Sequence, residues 1–168
     1  MRYLQGIFIP ACCCLLLLSG LAGCSEPRDD VIRFGLASAP ANLDPRYATD
    51  ATSARINRLL YQRLVDFDEQ FRPLPALANW QQITPLRYRF RLKAGRADFH
   101  DGSTLEAADV AATYRSILAP ESGSPHAGTL KLIEYITVED SNTLDFHLHR
   151  PDPLFPGYLA IGILRAAG

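Results

Sequence analysis

Four groups of side chains have the residue types that chemistry needs. His100 and Asp101 are neighbours in Phe99-His100-Asp101-Gly102. An acid–base pair is one reading, but neighbours in a tight turn rarely face each other. No motif places a Ser or Cys nucleophile beside them. His147 and His149 lie two apart in a strand-like run, so both point the same way. A metal needs a third and fourth ligand, and no spacing supplies them. Asp44, Asp50, Asp66 and Asp68 suit a divalent ion by type but fit no calcium-loop pattern, and loop and turn roles account for them. Arg87, Arg89, Arg91 and Lys93 alternate along one strand and put four cations on one face. Such a face holds an anion or, more commonly, is a solvated surface with local ion pairs. Gly95 and Gly102 are too far apart for a phosphate loop, and neither sits between a strand and a helix. These residues place no catalytic group, no metal and no cofactor, so the reading is not an enzyme.

Bulk properties narrow the classes further. The 168 residues carry 17 Lys+Arg against 18 Asp+Glu, a net charge of −1. That gives no basic field, which argues against a partner bound through nucleic-acid phosphates. At 48% hydrophobic and 21% charged, the chain can bury a core. Its 12 Pro and 11 Gly predict a loop-rich body rather than a helical bundle.

The N-terminal residues read as an address. Met1-Arg2 is a small positive start, and Ile7 to Leu18 is an uncharged apolar run. About 12 helical residues reach about 18 Å, too short for a hydrocarbon core of roughly 30 Å. The run is therefore the core of a secretory signal. Leu21-Ala22-Gly23-Cys24 follows directly and resembles the lipobox of bacterial lipoproteins. That resemblance implies cleavage before Cys24 and acylation of its thiol and new amino terminus, with palmitate or a similar chain. Several acyl chains give stable anchoring. Cys12, Cys13 and Cys14 fall in the removed segment, so the mature chain has no pair for a disulfide. The expected organisation is a signal peptide over residues 1–23, a lipidated tether over 24–30 and the body over 31–168. Ser25 follows Cys24, and in a Gram-negative cell the lipoprotein sorting rule then favours the outer membrane.

The body reads as a mixed α/β arrangement. Val31–Leu36 alternates like a strand. Ala39-Pro40 and Asp44-Pro45 force a loop. Ser53–Leu64 reads as a helix with Ile56, Leu59, Leu60 and Leu64 on its apolar stripe and Thr52 or Ser53 as N-cap. Val65–Asp68 is a short strand, and Phe71–Pro75 reads as rigid loop. Asn79–Ile83 and Leu86–Lys93 form a hairpin about Thr84-Pro85, with Leu86, Tyr88, Phe90 and Leu92 facing inward. Ala107–Leu118 is a helix with Val110, Tyr114 and Ile117 or Leu118 buried. Pro120–Gly128 is a loop, Ile133–Val138 and Thr143–His149 pair as strands, and Phe155–Leu164 reads as helical.

Several of these stretches together resemble one family, the extracellular solute-binding proteins of family 5. These are the peptide-, dipeptide- and nickel-binding components of ABC importers. Asn42-Leu43-Asp44-Pro45 is similar to the family's LDP segment. Val65-Asp66-Phe67-Asp68 and Pro75-Ala76-Leu77-Ala78-Asn79-Trp80 are similar to two further stretches. Most specific is Tyr88-Arg89-Phe90-Arg91-Leu92-Lys93, then Phe99-His100-Asp101-Gly102, then Leu105-Glu106-Ala107-Ala108-Asp109-Val110. Family members often carry Thr where this chain has Glu106, which caps a helix less well. The resemblance runs from about Ile32 to about Leu164.

The resemblance implies part of one lobe of a periplasmic-binding-protein-like (type II) two-lobe fold, with residues 31–168 as its N-terminal, incomplete part. It implies capture of a peptide or other small solute without covalent chemistry, delivery to an ABC permease in the inner membrane, and contact with the bilayer through acylated Cys24. By position, the segment that borders the ligand cleft falls on Thr49, Asp50 and Ala51. The alternative reading is a stand-alone structural or interaction lipoprotein without a transport ligand.

Overall fold

The computed structural model describes residues 33–166. The proposed signal peptide, Cys24, the tether and Val31-Ile32 lie outside the described residues. The chain divides into two units, Met1–Gly35 and Leu36–Gly168, and every element below belongs to the second. In order these are α1 (Ala51–Leu60), β1 (Val65–Phe67), β2 (Pro73–Pro75), β3 (Ala78–Thr84) and β4 (Arg87–Leu92). Then come α2 (Ala107–Leu118), α3 (Ala127–Leu130), β5 (Ile133–Asp140), β6 (Thr143–Leu148) and a 3₁₀ turn over Phe155–Leu159.

Four strands form an antiparallel sheet in the order β3-β4-β6-β5. The alternation along β4 works as the sequence predicts: Tyr88, Phe90 and Leu92 are buried. Leu86 is 43% exposed because the hairpin turn falls on Pro85-Leu86, one residue later than expected. Central strand β6 sends Leu144, Phe146 and Leu148 to the same inner face. α2 lies over that face with Ala107, Val110, Ala111, Tyr114 and Ile117 buried, and Leu118 packs at the margin. Phe146 is the centre of the packing. Its ring meets Phe90 at 5.3 Å, Tyr114 at 5.4 Å and Phe155 at 5.5 Å, all edge-on, the geometry that aromatic quadrupoles favour. Tyr114 is fully buried, and its hydroxyl donates to the Leu159 carbonyl at 2.9 Å, which ties the 3₁₀ turn to α2.

The start of α2 is tied down despite Glu106. Asp109, at the third helical position, supplies the missing cap: its Oδ2 accepts from the Glu106 N–H at 2.8 Å. Its Oδ1 accepts from the Ala166 N–H at 2.8 Å, so the same carboxylate holds the C-terminal segment. The turn before it forms as expected, with the Gly102 N–H donating to the Phe99 carbonyl at 2.9 Å. Gly102 sits at φ +82°, where other residues are strained.

The outer face of the sheet is polar. Arg89 and Asp145 are register partners on β4 and β6. Arg89 grips Asp145 with two hydrogen bonds, 2.7 Å from Nε and 2.8 Å from Nη2. Asp145 is fully buried beneath it. Arg87 adds a longer contact at 3.9 Å.

Five expectations need correction. Residues 33–36 form no strand. Helix α1 starts at Ala51 and is capped by Asp50, whose side chain accepts from the Ser53 N–H at 2.9 Å; Thr52 and Ser53 lie inside it. It ends at Leu60, where Tyr61 turns extended, so Leu64 leaves the apolar stripe and packs in the core. Pro73–Pro75 pairs with Val65–Phe67 as a second, two-stranded sheet; prolines suit such an edge because it asks for few ladder donors. α3 begins inside the predicted Pro120–Gly128 loop. After Leu159 the chain is irregular instead of helical, and Gly162 bridges to Arg63. A Cβ at Gly162 would stand 2.6 Å from the Tyr61 Cβ, so this close approach requires glycine.

Replacing Asp145 with Ala leaves the Arg89 guanidinium only its longer contact with Glu139 at 3.8 Å. Because the Arg89 side chain is 28% exposed and can reach water, the expected loss is about 2–3 kcal/mol rather than the full penalty of a sealed pair. Urea unfolding of D145A, R89A and the double variant checks this. Strong coupling between the two sites is expected, and an unchanged midpoint in D145A contradicts it.

Candidate functional site

The segment proposed to border a cleft is built on one ion pair. Asp44 and Arg46 are two residues apart, and the guanidinium folds back so that Nη2 reaches Asp44 Oδ2 at 2.6 Å. The Arg46 N–H donates to Oδ1 at 2.9 Å, while the Tyr47 and Ala48 N–H groups donate to the Asp44 carbonyl at 3.0 and 3.1 Å. This is an Asx turn with a charged clamp. Burial alone would raise the Asp44 pKa, but the hydrogen bonds and charge of Arg46 outweigh it and hold it below the ordinary carboxylate value.

The loop after α2 locks this turn from the far side. Ser124 Oγ donates to the Arg46 carbonyl at 2.7 Å. His126 Nε2 lies 3.0 Å from the Ala48 carbonyl. Arg46 Nη1 donates to Ser116 Oγ on α2 at 3.3 Å. Residues 42–48 are thus carried by the loop around Ser124-Pro125, a link between distant stretches that spacing does not reveal.

Thr49, Asp50 and Ala51 follow at once. Thr49 and Ala51 are exposed, and Asp50 is half-buried as the cap of α1. Hydrogen bonds from Ser53 hold the Asp50 pKa low. Among the described residues, the Thr49 N–H and carbonyl have no backbone partner. The segment is held at both ends and open in the middle.

Helix α1 presents the reverse of its expected face. Ser53 and Asn57 are the buried residues, Ile56 is half-buried, Leu59 is 73% exposed and Leu60 is 40% exposed. Ser53 is satisfied, its Oγ accepting from the Asn42 N–H at 3.0 Å. Asn57 is not: neither its amide nitrogen nor its amide oxygen has a partner. Beside it lies a pocket of about 260 Å³, lined in part by Ala48, Asn57, Arg58, Arg63, His126 and Ile161. Asn57 is not marked by spacing, because the stripe Ile56, Leu59 and Leu60 points to the opposite face of α1, and His126 lies in no periodic pattern.

The other candidates resolve into structural roles. Arg89 is committed to Asp145, Arg87 stands 3.9 Å from the same carboxylate, and Lys93 donates to the Pro75 carbonyl at 2.8 Å. Asp101 accepts from Ser103 and pairs with Arg165 at 2.7 Å, so it serves the turn, apart from His100. The His147 ring stacks on Tyr135 at 4.1 Å, while His149 lies exposed past the end of β6. Asp66 receives both Arg58 and Arg63. Among the described residues, no three His, Cys, Asp or Glu side chains gather as a metal would need. No described helix is long and apolar enough to cross a membrane.

Comparison with known proteins places this geometry. The family description "Bacterial extracellular solute-binding proteins, family 5 Middle" matches residues 70–167. The HTH-type transcriptional regulator SgrR of Salmonella choleraesuis (strain SC-B67) is 37% identical over 123 residues, covering 70% of this chain and 20% of the relative. The oligopeptide-binding protein AppA from Bacillus subtilis, solved in complex with a nonapeptide, superposes with a TM-score of 0.67 at 27% identity, over 72% of this chain and 25% of that one. NikZ from Campylobacter jejuni, solved with Ni(L-His), gives a TM-score of 0.67 at 26% identity, over 76% of this chain and 26% of that one. The chain therefore spans about a fifth of the length of the curated relatives it matches and about a quarter of the solved neighbours. The sheet closed on α2, the FHDG turn and the clamped LDP segment are parts of a solute-binding lobe, and the chain belongs to the bacterial extracellular solute-binding proteins of family 5.

Proposed function

We propose that this chain is the substrate-binding lipoprotein component of an ABC importer for peptides, and that its body supplies one wall of the ligand cleft. The observation that carries this reading is the family match over residues 70–167, joined to the fold shared with a nonapeptide-bound neighbour. Binding proteins of this architecture work by capture: ligand stabilises a closed state, which the permease then recognises. In this reading Thr49, Asp50 and Ala51, which follow the clamped turn at Asp44–Arg46, form the cleft border. In this reading residues 1–23 are the signal peptide, Cys24 carries the lipid, residues 24–30 are the tether and residues 31–168 are the N-terminal part of the binding domain. The protein then sits on the periplasmic side of a bacterial membrane, the outer one if the cell is Gram-negative. A second reading, a stand-alone interaction lipoprotein, is favoured by one feature: the core around Phe146 closes within the described residues.

Two experiments test the proposal. A pocket that discriminates among ligands encloses most of their surface, and one wall does not. Calorimetry of residues 24–168 with short peptides is expected to show no micromolar binding, and a micromolar or tighter site contradicts the single-wall reading. Metabolic labelling with palmitate tests the anchor. The full chain should incorporate label and partition with membranes, whereas C24S should lose both; label retained in C24S overturns the assignment.

A further inference from the structure

One concave surface gathers cations that nothing in the fold answers. A pocket of about 430 Å³ lies between the end of α3 and the segment that follows β6, within the roughly 300–1,000 Å³ common to small-molecule sites. Its lining includes Thr129, Lys131, His149, Arg150, Asp152 and Tyr158. The His149 N–H donates to the Leu132 carbonyl at 3.0 Å, which holds the two segments side by side. Thr129, Lys131, His149 and Arg150 are exposed. Among the described residues, none of these four side chains has a hydrogen bond or an ion pair. Elsewhere on the body, Arg46, Arg72 and Arg89 each close on a carboxylate.

The carboxylate in the lining is already engaged. Asp152 Oδ1 accepts from the Leu154 N–H at 2.9 Å and Oδ2 from the Tyr158 hydroxyl at 3.2 Å, so it serves the turn into the 3₁₀ segment. Burial and Asp152 hold the Tyr158 pKa above its ordinary value. The charge of Arg150 works against them, which puts that charge within electrostatic reach of the phenol. Lys131 and Arg150 against Asp152 leave the pocket a net +1, and +2 when His149 is protonated. A guanidinium offers a fork of N–H donors, an ammonium three donors and a hydroxyl one. Donors that arrive from two sides of a cavity match a tetrahedral oxyanion, whereas one guanidinium fork alone satisfies a carboxylate.

We infer that this pocket is a phosphate-binding site, in which Lys131, Arg150 and the Thr129 hydroxyl hold the phosphate group and His149 adds a further donor. The ligand is inorganic phosphate or a small phosphomonoester, since the cavity leaves space beside the ion. No residue of the Thr49–Ala51 segment lines it, and it does not rest on the solute-binding reading. Exposed donors share the anion with water and salt, so the affinity is on the order of millimolar.

The test is a ¹H–¹⁵N NMR titration of the full chain at constant ionic strength in a phosphate-free buffer. Inorganic phosphate, glycerol 3-phosphate and acetate are the probes. The two phosphates are expected to shift the amide signals of Lys131, His149 and Arg150 saturably at millimolar concentration. The tighter of the two names the source, the free ion or a phosphomonoester. Acetate should bind about tenfold more weakly. K131A and R150A should each weaken the tighter probe about tenfold. Their thermal midpoints without phosphate should hold, because neither side chain has an internal partner. Shifts that rise linearly without saturation overturn the site and leave a solvated surface, whether or not the variants fold. Acetate as tight as phosphate, or undiminished affinity in either variant, overturns it too. So do saturable shifts confined to other residues. None of these outcomes bears on the solute-binding reading, which the peptide calorimetry tests.

Discussion

Strand β6 must satisfy two opposite environments at adjacent residues, and the described body is organised around that constraint. Phe146 points inward and receives Phe90, Tyr114 and Phe155 edge-on. Asp145 points outward yet is fully buried, because Arg89 lies across it in register. A central strand of an antiparallel sheet fixes its register through this alternation, since a slip of one residue would put a carboxylate into the aromatic cluster. The Arg89–Asp145 pair adds little to net stability relative to an apolar substitute but makes the slipped register costly. The sheet then gives α2 a defined bed, and α2 with its following loop carries the Asp44–Arg46 turn through Ser116 and Ser124. The candidate cleft border thus inherits its position from a packing decision made on β6.

Much of this was legible in the sequence where a period was strong. The alternation Tyr88, Phe90, Leu92 gave β4, and the α2 boundaries matched Ala107–Leu118. The FHDG turn was legible because Gly102 has one cheap conformation there. Elements failed where local and tertiary preferences diverge. The stripe Ile56, Leu59, Leu60 has good helical spacing, yet the body takes the opposite face of α1, because the capped turn at Asp50 and the Ser53–Asn42 bond fix the rotation of the helix. Pro73 and Pro75 read as loop because proline disfavours ladders, although an edge strand tolerates it. The clamp on residues 42–48 joins residues 78 apart in sequence, Arg46 to Ser124 and Ala48 to His126, and no single-sequence period encodes it.

The same divergence bears on function. Sequence motifs identified scaffold: the β4 run, the FHDG turn and the start of α2 build the sheet and the helix packed on it. The residues whose hydrogen-bonding capacity remains unspent, such as Asn57, lie where periodicity pointed elsewhere. Rigid packing around Phe146 holds position, while a border held at both ends stays open between them.

The sheet and α2 share one buried core, whereas α1 is seated on its polar side, with Leu59 and Leu60 exposed, and takes little part in that core. Native-state hydrogen exchange of residues 24–168 measures the difference. Amides of β4, β6 and α2 should exchange only through global unfolding, and those of α1 through local opening at much lower free energy. Protection in α1 equal to that in β6 would mean that α1 is part of the same cooperative core, the result expected of a stand-alone module.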